Sequence, residues 1–320
     1  MSHTILHPPT ALKVSPRIRA RLNSGELSQS QVSKFERFLE KVNRIFLHHR
    51  IILHNQYTHW FSQGLATDPE LRHFIQQFSV FSNQFLVASL QKTINAATLE
   101  ESRASREILL NELGVIYRNP KQEKGATTKN NMARPKVALN ADQKDREGDP
   151  ALVSTEGTVD GGICRFRAAH LEWLLTVAED VGLSFANIGK RKHGRPRTLH
   201  FCDELIRIYG SEDPSTAEGA SFAIENWAAA GFWQELEDGL TKIKQDRHPH
   251  LHLAFFSWHN RVEAQHAHHT QEELEQVFFK PGFVPHKFIH GGQDVLEALA
   301  IFWDGLNSDR LHHIYEEKEV

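Results

Sequence analysis

A chain of 320 residues, 40% hydrophobic and 24% charged, has ordinary globular composition and enough length to bury a sizeable core. Its formal net charge of -3 offers no general basic field for nucleic acid, and no run of about 18 apolar residues is present to span a bilayer. Two cysteines, Cys164 and Cys202, are too few for a disulfide framework or a thiolate zinc site and suit a reducing cytoplasm as small buried hydrophobes.

The first residues, MSHTILHPPTALKV, lack a charged region followed by a continuous apolar stretch, so no signal peptide is expected. Residues 1–27 read as an extended lead-in, with Pro8, Pro9 and Pro16 opposing an early helix. From Ser28 to Gly64 apolar residues recur every three or four positions and predict one long amphipathic helix. Thr67-Asp68-Pro69 starts a second helix over 70–95, with Leu71, Phe74, Ile75, Phe78, Phe81, Phe85 and Leu86 on a helical period. A third runs from about Leu99 to Tyr117. Residues 118–161 carry Gly, Pro and charge without apolar period and read as a long mobile insertion.

Helical pattern resumes over 163–181, 199–209, 214–230 and 231–245, then in a His-rich helix over 249–269 and a last pair over 270–279 and 291–306. The basic run Lys190-Arg191-Lys192 with Arg195 and Arg197 reads as a solvated loop. The fold expected is one all-α bundle of seven or more helices over residues 28–320.

Histidine is the anomaly. There are 21 in the chain, and seven fall between His248 and His269. In FFSWHNRVEAQHAHH, His259, Glu263 and His266 stand at i, i+4 and i+7, within about 60° of one another around a helix. One helix can therefore aim two imidazoles and a carboxylate at one point, the donor set of non-haem Fe(II) sites with positions left open for O2 and substrate. Core residues share that spacing, so the triplet alone leaves packing and metal binding as even alternatives. His268 and His269 fall off this face, and His248, His250 and His252 suit a surface or supporting role.

Three further candidates lie in apolar helices: Glu225 in SFAIENWAAAGFW, Glu112 in ILLNELGVIY and His170 in RFRAAHLEWLL. Each alone is more often a satisfied or edge-exposed polar residue. Together with the triplet they make three Glu and three His, enough for two metal ions in a bundle.

These segments resemble the haem-oxygenase-like di-iron oxidases, which share the helical fold of the TenA and PqqC proteins. The final ligand helix of that family carries His-x3-Asp/Glu-x2-His, matched here by His259, Glu263 and His266. The family's N-L-x-x-E-L-G segment matches Glu112, with Glu107 as the alternative, and the His of the next core helix matches His170, with His193 as the alternative. Glu225 matches a Glu about thirty residues before the triplet. The likeness spans roughly residues 35–305.

The resemblance implies two Fe(II) per chain, with Glu112, His170 and His259 on one and Glu225, Glu263 and His266 on the other. It implies an oxidoreductase that activates O2 through a peroxo-di-iron species and oxidises a small carboxylic acid, either an amino acid or a fatty acid. Trp173, Phe222, Trp227, Phe232, Phe255 and Phe256 are candidates to line its channel, and Arg165, Arg167 and Arg261 to pair with its carboxylate. The expected setting is cytoplasmic, with no nucleic-acid or membrane partner, and a homodimer is left open. Two readings from other classes stand beside this one: a metal-free TenA-like hydrolase, which needs a nucleophilic Cys, and a non-enzymatic protein whose histidines chelate metal at the surface.

Overall fold

The computed structural model describes residues 11–113 and 170–314, except for the side chains at 111, 262–271 and 273. The expected insertion at 118–161 lies outside the described residues. Among the described residues there is no strand, and no helix is long and apolar enough to cross a membrane. The chain divides into one unit of residues 1–109 and 170–320 and a second of Leu110–Ala169.

The lead-in is not wholly extended. Helix α1, Pro16–Asn23, starts at Pro16 itself, with the Ser15 side chain accepting from the Ile18 amide. Proline opposes a helix only from inside; at the first position its fixed φ helps and its missing N–H costs nothing. The long helix expected from Ser28 is broken into pieces. Helix α2, Gln29–Val42, opens with a Ser28/Gln31 capping box and passes into a π-helical turn over Asn43–Leu47. Short helices α3, Arg50–Leu53, and α4, Gln56–Phe61, follow. The breaks come from side chains that bond the backbone. His49 Nδ1 accepts from Ile51 N at 3.4 Å, and Asn55 Oδ1 accepts from Tyr57 N and Thr58 N. Asn43 clasps the lead-in, accepting from Leu12 N at 2.8 Å and donating to Leu12 O at 2.9 Å.

Helix α5, Asp68–Ile94, starts on the Thr67/Glu70 capping box, and α6 covers Leu99–Glu112. Helix α7, His170–Asp180, precedes α8, Pro196–Tyr209, and α9, Pro214–Trp227. A π-helical turn, Ala228–Phe232, joins α9 to α10, Trp233–Asp246; within it Gly231 takes φ 99°, a conformation that suits glycine. The two helices expected over 249–279 are one, α11, Ala254–Phe278, and α12 covers Pro285–Leu311.

The core is rich in phenylalanine, with Phe35, Phe46, Phe61, Phe74, Phe78, Phe201, Phe255, Phe256, Phe288 and Phe302 all buried. Buried Gln77 of α5 ties that helix to the start of α8. Its amide donates to His193 O, and its carbonyl accepts from Arg195 N and Thr198 Oγ1. Helices α9 and α12 meet backbone to backbone: a methyl on Gly219 would overlap the Phe288 carbonyl, and one on Gly291 the Thr216 carbonyl. This contact fixes the register of α9 and therefore the height of Glu225 in the bundle.

Candidate metal centre

Helix α11 packs against α7, α9, α10 and the π turn between the last two. The helices bearing His170 and Glu225 are thus both neighbours of the helix bearing His259, Glu263 and His266.

His170 opens α7 and is buried, 7% exposed, as is His259 in α11 at 7%. Their rings meet edge to face with centroids 4.7 Å apart and planes at 68°. Aromatic side chains enclose the pair. Trp233 stacks on His259 at 4.4 Å and 22°, and Phe255 tilts against it at 4.4 Å. Trp258 touches both histidines, 5.3 Å from His170 and 4.9 Å from His259. Trp173 lies 6.3 Å from His170 and 5.6 Å from Trp258.

His259 Nδ1 is 2.7 Å from the Phe255 carbonyl. A carbonyl only accepts, so Nδ1 carries the hydrogen and the lone pair of the neutral ring sits on Nε2. Metal-binding histidines commonly show this pattern: the bond at one nitrogen orients the ring and raises the basicity of the other. Imidazole is a donor that a divalent ion accepts, and the pair differs from the thiolate set of a closed structural zinc site.

The remaining candidates are placed as follows. Glu225 is in α9 but only half-buried, between the buried Ile224 and Asn226. Glu112, half-buried, ends α6 within the second unit. Unbroken helix over 254–278 keeps 259, 263 and 266 at i, i+4 and i+7, while the side chains of Glu263 and His266 lie outside the described residues. Among the described residues no group of three His, Cys, Asp or Glu side chains stands close enough to hold a metal. The alternatives fare differently from His170: Glu107 is exposed, and His193 Nε2 donates to Ala186 O at 2.8 Å.

Of the other histidines, His248 pairs with Asp68 at 2.9 Å and His252 with Asp180 at 2.8 Å, while His250 is exposed. Arg261 is exposed, its Nε directed to Ser257 O at 3.3 Å; Arg165 and Arg167 lie outside the described residues. Of the candidate channel residues, Phe255 and Trp173 touch His170, Trp227 stacks on Phe232 at 4.0 Å, and Phe222 packs on Phe46 and Phe288.

Sequence reasoning passed over Trp233 and Trp258, whose rings stand 4.4 and 4.9 Å from His259. A signal was available in Trp258, which directly precedes His259; nothing local marks Trp233. Cys202 is buried, and burial pushes its thiol up to about 12, which leaves it protonated and poorly nucleophilic at neutral pH. Cys164 lies outside the described residues. No protein-family model matches this chain, and no curated protein matches it at a significant level.

Proposed function

We propose that this protein is a non-haem di-iron, O2-dependent oxidase or oxygenase of the haem-oxygenase-like class, acting on a small carboxylic acid. The observation that supports it best is the buried His170–His259 pair, with Nδ1 of His259 held by the Phe255 carbonyl. In this reading His170 and His259 hold one iron, and Glu225, Glu263 and His266 hold the other. When bound, two Fe(II) ions would supply the electrons that O2 activation requires.

The protein's own groups have definite tasks in that chemistry. The Phe255 carbonyl keeps the His259 proton on Nδ1 and presents Nε2 as a lone pair. Stacking on Trp233 fixes the plane of the ring. Trp173, Trp258 and Phe255 surround His170 and exclude water, which strengthens electrostatic interactions within the nest.

The test is an Fe(II) titration under argon of the parent, His170→Ala and His259→Ala, with helicity followed by circular dichroism. The parent should take up two Fe(II) and consume O2 on exposure to air. Both variants should stay helical and lose ordered iron binding. Parental iron uptake by both would overturn the ligand assignment.

A further inference from the structure

His286 and His290 stand one turn apart at the start of α12, and both side chains are exposed. Their rings are neighbours, with centroids 6.2 Å apart and planes at 76°. Several other imidazoles are turned to carboxylates: His49 to Glu297, His73 to Asp309, His248 to Asp68 and His252 to Asp180. Among the described residues, His286 and His290 meet no carboxylate or carbonyl, only each other.

The turn that carries them is held in place on both sides. Between them in sequence, Lys287 Nζ is 2.6 Å from Asp213 Oδ2 at the start of α9, and the buried Phe288 packs on Phe38 and Phe46. Just before them, Val284 N donates to Ser215 Oγ at 2.9 Å. Just after them, Gly291 lies against the Thr216 carbonyl, too close for a side chain. With the backbone set by these contacts, only the two imidazole side chains remain to be ordered when both grip one ligand. The nearby Lys287 ammonium is already offset by Asp213, which lowers its opposition to a cation.

We infer that His286 and His290 form a chelate for a divalent cation of borderline softness, Zn(II) or Cu(II), on a helix that carries none of the proposed iron ligands. Two histidines at i and i+4 lie on one face of a helix and can bring a nitrogen each to one point, the half-site that helical zinc motifs use. With metal–nitrogen bonds of about 2.0–2.1 Å, the shared ion stands about 3 Å from each ring centroid. The observed separation closes on it with a modest turn of either exposed side chain. Two protein donors leave the remaining positions to water. Imidazole favours Cu(II) and Zn(II) over Fe(II), and Mg(II) and Ca(II) prefer oxygen donors. The site therefore differs from the proposed iron centre in place, in exposure and in metal, and it stands whether or not that centre binds iron.

The experiment is a calorimetric titration of Zn(II) into the full chain, in a buffer that does not bind metal. The parent is compared with His286→Ala, His290→Ala, His290→Gln, His259→Ala and His54→Ala, and circular dichroism checks their folding. His54, exposed at the end of α3, controls for scattered binding by surface histidines. His286→Ala, His290→Ala and His290→Gln should each weaken one Zn(II) site by about tenfold or more, a loss that follows removal of even a supporting partner of a metal ligand. His259→Ala and His54→Ala should leave that site at parental affinity, and Mg(II) should not compete for it. Parental Zn(II) binding in all three folded variants at 286 and 290 would overturn the inference. So would an equal loss in His54→Ala, which would mean diffuse binding, or loss of the same site in His259→Ala, which would place the ion at the candidate centre.

Discussion

The imidazoles of His170 and His259 come from helices α7 and α11 and meet edge to face at 4.7 Å inside a nest of aromatic rings. Two buried imidazoles in such surroundings are poor partners for solvent and good partners for a divalent cation. What distinguishes a metal centre from a packed pair is whether the carboxylates around them respond to metal.

Glu225 is the carboxylate to question first. It is half-buried, where a solvent-screened interaction contributes about 1 kcal/mol at most, so Glu225→Ala should change the stability of the iron-free protein by no more than that. The rise in melting temperature produced by Fe(II) under argon should shrink in the variant, because a ligand of the folded state stabilises it by mass action. Equal destabilisation with and without iron would mean that Glu225 pairs structurally and holds no metal.

The glycine contact between α9 and α12 makes a sharper stability claim. Gly219→Ala sets a methyl against the Phe288 carbonyl, a backbone atom that cannot swing aside. The expected cost is about 3 kcal/mol, the upper range for overpacking, read as a lower denaturant midpoint. A midpoint within error of the parent would show that the two helices separate more easily than the contact implies.

His49 gives the fold a pH dependence of known sign. Burial lowers its pKa below 6.5, outweighing the opposing hydrogen bond to Glu297, while Arg50 lowers it further. A depressed folded pKa means that the folded state binds fewer protons than the unfolded chain. His49 therefore contributes stability that is fully present above pH 6.5 and is lost as pH falls through its lowered value. Protonation would also remove the Nδ1 lone pair that accepts from Ile51 N at the start of α3. His49→Asn keeps a side-chain cap and cannot titrate, so its melting temperature should fall less than the parent's over that acidic range. Parallel curves for the two proteins would exclude His49 as a source of the dependence.

Cys202 should resist chemistry while the protein is folded. Its thiol is buried and raised to about 12, so little thiolate exists at neutral pH. Iodoacetamide at neutral pH should leave it unmodified in native protein and label it fully in denaturant, as read by peptide mass spectrometry. Rapid native labelling would revive a cysteine nucleophile and with it the hydrolase alternative.

What the sequence made legible was local. Thr67-Asp68-Pro69 starts α5 because the cap, the first-turn proline and the returning Glu70 carboxylate are all written within four residues. The spacing of 259, 263 and 266 survives because α11 is unbroken. The helix over 28–63 misled because apolar period continues through Asn43, His49 and Asn55, whose side chains satisfy backbone groups and end the helix. Trp233 was invisible as a site residue, since its ring reaches His259 only once α10 has packed on α11.

The Asn43 clasp on Leu12 closes over 31 residues, near the start of the chain. Its two partners emerge close together, although the apolar face of α2 waits for Phe278 and Phe288 to pack on it. The His170–His259 pair is the opposite case, because its second member emerges long after the first, with α8, α9 and α10 made in between. Domains made from the N-terminus at about 5–20 residues per second fold as units once their parts are out. Whatever fills the centre must therefore be loaded after residue 259 has emerged and α11 has met α7.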